Sequence, residues 1–158
     1  MKSSAWPPRS ASSTIAPHAP SISSTSTIEL WRFANFGIAD NTGIAADTAD
    51  PAHDGLLNIF EYAFNTNPKL PNPSPIAYSL ASGHLTIIFQ RAHPAPQDIT
   101  YLFEVADGLL SGIWHSGPAF TTQSVTDNHD GTETVTVTDN AAVPSSAAHY
   151  LRLRISRP

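Results

Sequence analysis

From Ile76 onward, apolar residues recur at every second position, and a period of two admits strands and little else. Leu85, Ile87 and Phe89 fall on one face of a run. Tyr101, Phe103 and Val105 alternate with Leu102 and Glu104, and Leu151, Leu153 and Ile155 alternate with Arg152 and Arg154. Strands are expected over residues 76–80, 85–91, 101–105, 113–115, 123–127, 132–138 and 151–155. Asn128-His129-Asp130-Gly131 separates two of these runs and is a hairpin signal. About seven short strands with turns every 8–12 residues form the pattern of an antiparallel sandwich. The expected fold class is therefore mainly β: a small antiparallel β-sandwich of immunoglobulin or fibronectin type, preceded by a short two-helix segment. Leu85, Ile87, Phe89, Tyr101, Phe103, Val105, Val135, Val137, Leu151, Leu153 and Ile155 should build its core. Arg152 and Arg154 should face water and protect an edge.

The alternation does not reach back past the prolines at 71, 73 and 75. Before them the periodicity is helical. Thr27 to Gly37 reads as a short helix with Ser26 or Thr27 as cap, Gly37 as its left-handed end, and Ile28, Trp31, Ala34 and Phe36 near one face. Leu56, Ile59, Phe60 and Ala63 recur at i, i+3, i+4 and i+7, which predicts a second helix from about Leu56 to Phe64. Asn65-Thr66-Asn67-Pro68 stops it. Residues 1–25 are dominated by Ser, Pro, Ala and Thr and read as a linker. Three parts follow: a linker over 1–25, a helical segment over 26–70, and a sandwich over 75–158.

Charge narrows the function. Between Phe33 and Pro68 there is no Lys or Arg, yet Asp40, Asp47, Asp50, Asp54 and Glu61 all fall there. Such a cluster is either a solvated acidic loop or a cation site. The twelve residues Asp50-Pro51-Ala52-His53-Asp54-Gly55-Leu56-Leu57-Asn58-Ile59-Phe60-Glu61 favour the second reading. An EF-hand-type calcium loop takes side-chain oxygens at positions 1, 3, 5 and 12 and a carbonyl at 7. It often takes a water at 9, and it needs glycine at 6 for a sharp turn. Asp50, Asp54 and Glu61 occupy positions 1, 5 and 12, with Gly55 at 6. Leu56 offers the carbonyl at 7, and Asn58 at 9 can ligate or hold the water. Ala52 breaks the pattern at position 3, where only water or Asp47 could stand in. The candidate ligand set for calcium is Asp50, Asp54, Leu56, Asn58 and Glu61.

These residues also carry a resemblance. Trp31 to Gly37, then Ala49 to Ala63, then Asn67-Pro68, resemble a module found at the C-terminus of large secreted proteins of Gram-negative bacteria. Its pattern is an Asp-Pro-Asp-x-Asp-Gly loop running into Asn-x-x-Glu-Tyr-Ala. The loop is similar to those of dockerins and thrombospondin type 3 repeats. The likeness continues through Leu85 to Arg91, Tyr101 to Val105, Trp114, Val125 to Val137 and Tyr150 to Ile155. It implies a calcium loop, an extracellular or cell-surface location, and a chain that is the tail of a longer protein. It brings no activity with it.

Other chemistry is not indicated. The seven histidines show no ligand spacing, and no nucleophile elbow or phosphate-binding glycine loop is present. No enzyme is expected. A formal charge of −5 argues against nucleic acid. No apolar run is long enough to span a membrane, and no signal peptide is visible at the start of the chain. The absence of cysteine excludes disulfides and thiolate metal sites. Candidate partners are a polysaccharide, which Trp114, Tyr101 and Tyr78 could meet as an aromatic platform, or the rest of a larger secreted chain. The module itself is expected to be a monomer. Asp127, Asn128 and Asp130 look superficially like a second ion site, but a hairpin loop explains them better.

Overall fold

A computed structural model describes residues 27–143 and 148–158. The linker expected over 1–25 lies outside the described residues. Two helices come first, α1 (Thr27–Phe36) and α2 (Asn58–Phe64). Seven strands follow: β1 (Ile76–Ala81), β2 (His84–Ala92), β3 (Thr100–Ala106), β4 (His115–Ser116), β5 (Thr121–Asp127), β6 (Thr132–Ala142) and β7 (Tyr150–Ser156). They form two antiparallel sheets, ordered β1-β2-β6-β5 and β4-β3-β7. With β4 lettered C′, the first follows the A-B-E-D order of immunoglobulin-type sandwiches. The mainly β sandwich behind two helices is thus the architecture that the alternation demands.

The register places the alternating residues as expected. Ile87 pairs with Val137 and Phe89 with Val135 in one sheet, and Phe103 with Leu153 in the other. All except Leu153 are buried. Phe89 stacks on Tyr101 at 5.8 Å and meets Phe64 edge-on at 5.5 Å. Arg152 and Arg154 are exposed while Leu151, Leu153 and Ile155 are half-buried. A one-residue slip would reverse that assignment, so the register is fixed by burial. Five expected core residues stay half-buried: Tyr101, Leu151, Leu153 and Ile155 pack at the margin of the core, and Leu85 lies outside that cluster. The Asn128–Gly131 hairpin joins β5 to β6 with Asp127 opposite Glu133. Its carboxylates cap their own turn: Asp130 accepts the Thr132 N–H at 2.9 Å and Asp127 the His129 N–H at 2.8 Å.

The helices depart from expectation in informative ways. α1 is capped from 70 residues away, because Asp98 Oδ2 accepts the Ile28 N–H at 2.8 Å and Oδ1 accepts the Thr27 hydroxyl at 2.7 Å. Its inward face carries Ile28 and Arg32, while Ala34 is exposed. α2 begins two residues later than expected. The Leu56 N–H is already taken by Asp54 Oδ1, and the Asn58 N–H reaches back to the Ala49 carbonyl, both at 2.9 Å. The helix is also buried on more sides than an apolar stripe alone would suggest. Asn58, Glu61, Tyr62, Ala63 and Phe64 are all covered.

The helical segment is packed onto the sandwich rather than appended to it. Phe64 belongs to the main core, with Leu56 and Phe60 packed against it. Ile28, Tyr62 and Ala63 form a second cluster with Ile99, against which Trp31, Tyr101 and Ile155 pack. Each large apolar side chain so buried contributes about 1.5–3 kcal/mol. The Tyr62 hydroxyl donates to Asp98 Oδ1 at 2.7 Å and lies 2.5 Å from Thr27 Oγ1, tying α2, α1 and the approach to β3 at one point.

Candidate metal centre

The loop from Asp50 to Glu61 turns sharply, with His53 at φ 56° and Gly55 at φ 87°. Both lie in the left-handed region, so the glycine at position 6 meets a real backbone demand. The turn is closed by its first carboxylate. Asp50 Oδ2 accepts the Gly55 N–H at 2.9 Å and Oδ1 the Asp54 N–H at 3.3 Å. The Asn58 N–H to the Ala49 carbonyl and the Ile59 N–H to the Asp47 carbonyl then clamp the start of α2 to the entry of the loop.

Asp54 and Glu61 are drawn together by a residue that the sequence reading missed. Asn72, in the proline-rich connector, donates its backbone N–H to Asp54 Oδ2 at 2.6 Å and its side-chain amide to Glu61 at 3.1 and 3.2 Å. The Thr66 hydroxyl also donates to Glu61 Oε2. Its amide also bonds the nearby Asn67 and Leu70 carbonyls, but nothing local ties Asn72 to the loop, since Glu61 and Asp54 lie 11 and 18 residues away. A cavity of about 230 Å³ opens beside Asp54, walled by Gly55, Leu56 and the Asn72–Pro75 stretch.

The electrostatics are uneven. Glu61 is fully buried. Burial raises its pKa above the ordinary glutamate value, the nearby Asp54 and Asp50 charges push the same way, and the bonds from Thr66 and Asn72 only partly offset this. The Asp54 carboxyl is held low by the backbone N–H groups of Asn72 and Leu56. Among the described residues, no cationic side chain bonds Asp50, Asp54 or Glu61 in the way Arg32 and Arg157 bond Asp47.

Asp47 does not fill the gap at position 3. Its carboxylate is paired with buried Arg32 and, at 3.1 Å, with Arg157, and it also accepts from Asn41. Asn58 is 1% exposed, and its amide nitrogen donates to the Ile44 and Ala46 carbonyls at 2.8 Å each. Its Oδ1 is buried with no hydrogen-bond partner. Leaving such an acceptor unsatisfied costs roughly 1–3 kcal/mol. His53, at position 4, points to solvent.

The predicted set therefore gathers along one loop and one helix face. The donors are carboxylate, amide and carbonyl oxygens, the type that a hard divalent cation takes. As they stand, N–H and O–H donors satisfy the carboxylates. Among the described residues, no three His, Asp or Glu side chains are closed around a common metal position.

The other candidates separate in space. Tyr101 packs against the core, Tyr78 sits on β1 of the other sheet, and Trp114 is half-buried with the Arg152 guanidinium 3.6 Å above its ring. They share no platform. His149 has both ring nitrogens bonded to carboxylates, Asp107 at 2.7 Å and Asp139 at 2.5 Å, which leaves no free nitrogen to act as a base. Among the described residues no helix is long and apolar enough to cross a membrane. No known family's sequence profile matches the chain, and no curated protein matches it.

Proposed function

We propose that this chain is a non-catalytic extracellular accessory module, the tail of a larger secreted protein, whose Asp50–Glu61 loop is stabilised by calcium. The observation that carries the reading is Asn58 Oδ1, a buried acceptor without a partner at position 9 of the loop. A bound ion, or a water on it, supplies what that oxygen lacks. Asp50, Asp54 and Glu61 would supply charge, with the Leu56 carbonyl and water completing six to eight oxygens. With alanine at position 3, affinity belongs at the weak end for such loops, about 10⁻⁴ to 10⁻³ M. The site would then be empty at cytosolic calcium and occupied at the millimolar levels found outside cells.

The role that follows is mechanical. α2 carries Glu61 and Phe64 one turn apart on neighbouring faces, so an ion at Glu61 fixes the helix that closes the sandwich core. Isothermal calorimetry against calcium and magnesium tests the proposal. Heat of binding in the sub-millimolar to millimolar range is expected for calcium, with much less for magnesium, which demands a tighter octahedron. No calcium heat up to about 10 mM, with identical melts in calcium and in chelator, would leave the loop an acidic turn and overturn the reading.

A further inference from the structure

Edge strands expose unpaired N–H and C=O groups, and proteins guard them with charge, proline, bulges or brevity. Among the described residues, three of the four sheet edges are guarded. β7 carries Arg152 and Arg154, β4 has two residues, and β5 ends in Asp127 with threonines along it. β1 is different. Ile76-Ala77-Tyr78-Ser79-Leu80-Ala81 contains no charge and no proline, and its pairing with β2 runs unbroken from Ile76–Phe89 to Ala81–His84.

Its apolar residues are also uncovered. Ile76, Tyr78 and Leu80 stand opposite Phe89, Ile87 and Leu85, so they share the face that turns toward the core. Yet Tyr78 is 70% exposed and Leu80 61%. Beside Ile76, at the start of the strand, lies an apolar groove of about 290 Å³, lined by Ile76, Leu153, Ile155, Leu56, Phe60 and Phe64. Inward-facing tyrosine and leucine at such exposure are not the surface of a finished sandwich.

The pattern of β1 is symmetric about its own centre. An antiparallel partner strand placed with Tyr78 opposite Tyr78 brings Ile76 opposite Leu80, and Leu80 opposite Ile76, on the inner face. On the outer face Ala77 meets Ser79. Every cross-strand pair is apolar with apolar or small with small, and none sets like charges together. A strand that complements itself in this way defines a two-fold, isologous contact. We propose that β1 is a dimerisation edge whose occupant is β1 of a second copy, joining two four-stranded sheets into one of eight strands. This replaces the monomer expected from sequence alone, and it does not depend on calcium. A single strand pair makes an interface below the roughly 1,200 Å² of standard complexes, so the dimer is concentration-dependent.

Sedimentation equilibrium of the full chain at increasing concentration, with about 0.15 M salt to screen the net negative charge, is the test. The mass should rise from 16.9 kDa toward twice that value. Tyr78→Lys puts two ammonium groups face to face at the two-fold axis and should hold the protein monomeric, with the melting temperature of the dilute wild type because the side chain is mostly exposed. Tyr78→Glu should do the same. An equimolar mixture of the two variants should associate again, since lysine then faces glutamate. A wild type that stays monomeric up to about 1 mM overturns the proposal. So does a Tyr78→Lys variant that dimerises like the wild type, which would place the contact elsewhere. Failure of the mixture to associate refutes the register centred on Tyr78.

Discussion

Glu61→Gln should have opposite effects on the chain without calcium and on the chain with it. Without calcium, the native carboxylate is buried, and it is disfavoured by that burial and by the charges of Asp54 and Asp50. Its Thr66 and Asn72 bonds can largely be kept by the glutamine oxygen. Removing the charge should therefore raise stability at neutral pH by about 1 kcal/mol, the net scale of one hydrogen bond. With calcium at about ten times the dissociation constant, the wild type gains roughly 1.4 kcal/mol by mass action, and a variant lacking the position-12 carboxylate loses nearly all of it. For an ordered part of this size, 1 kcal/mol moves the melting temperature by roughly 3–6 °C. The variant should thus melt a few degrees above the wild type in chelator and gain nothing from calcium, while the wild type climbs by about 5 °C. The sign has a pH counterpart. A carboxyl whose native pKa is raised makes the calcium-free protein lose stability as pH rises from about 4.5 through the raised value, and calcium should reverse that slope. Differential scanning calorimetry in both buffers decides the matter. A variant that melts several degrees lower in chelator and still responds fully to calcium would show that Glu61 is neither strained by its charge nor a ligand.

Ala52→Asp restores an oxygen and a charge at position 3 and should tighten calcium binding by about tenfold in calorimetry, with magnesium little changed. Burial alone would lower the His149 pKa, but the bonds from Asp107 and Asp139 outweigh it and hold the imidazolium above the ordinary histidine value. Its contribution is therefore full below pH 6.5 and lost as pH rises through the raised pKa. His149→Asn should flatten the fall in melting temperature above pH 6.5, leaving the smaller share due to His93, which Glu133 raises likewise. Tyr62→Phe removes the hydroxyl that joins Thr27 and Asp98 and should cost about 1–2 kcal/mol in urea unfolding, without changing the slope with denaturant.

The sheets were readable from the sequence because their signal is local. Each strand carries its own alternation, and a register error of one residue would have exposed Phe89 and Val135 together. The strand ends shifted by only a few residues, and the least certain run, at 113–115, became the two-residue β4 at His115–Ser116. The helices were less readable because their ends answer to distant groups. Asp98 accepts the Ile28 N–H and the Thr27 hydroxyl at the start of α1, whereas Ser26 lies outside the described residues. Arg32 lies inward where Ala34 was expected, because Asp47 meets its guanidinium from the loop. Such partners are set by the fold and leave no periodic trace in the chain.

The acidic segment shows the same division. Read as a string, it holds five carboxylates with no cation among them. Folded, Asp47 is matched by Arg32 from before the segment and by Arg157, which lies 110 residues after Asp47 in the chain. Asp40 is exposed to water. What remains is Asp50, Asp54 and Glu61, within electrostatic reach of one another: Asn72 bonds Asp54 and Glu61, Thr66 bonds Glu61, and the Asp54 and Gly55 N–H groups bond Asp50. Of the two acidic residues that the twelve-residue spacing leaves out, the fold has thus neutralised Asp47 and left Asp40 in water. The three that the spacing selects carry neutral donors, which can turn away from an ion as a bonded arginine could not without leaving its own buried charge unpaired. That division of the cluster is the physical argument for placing a cation at Asp50, Asp54 and Glu61 and nowhere else in the segment.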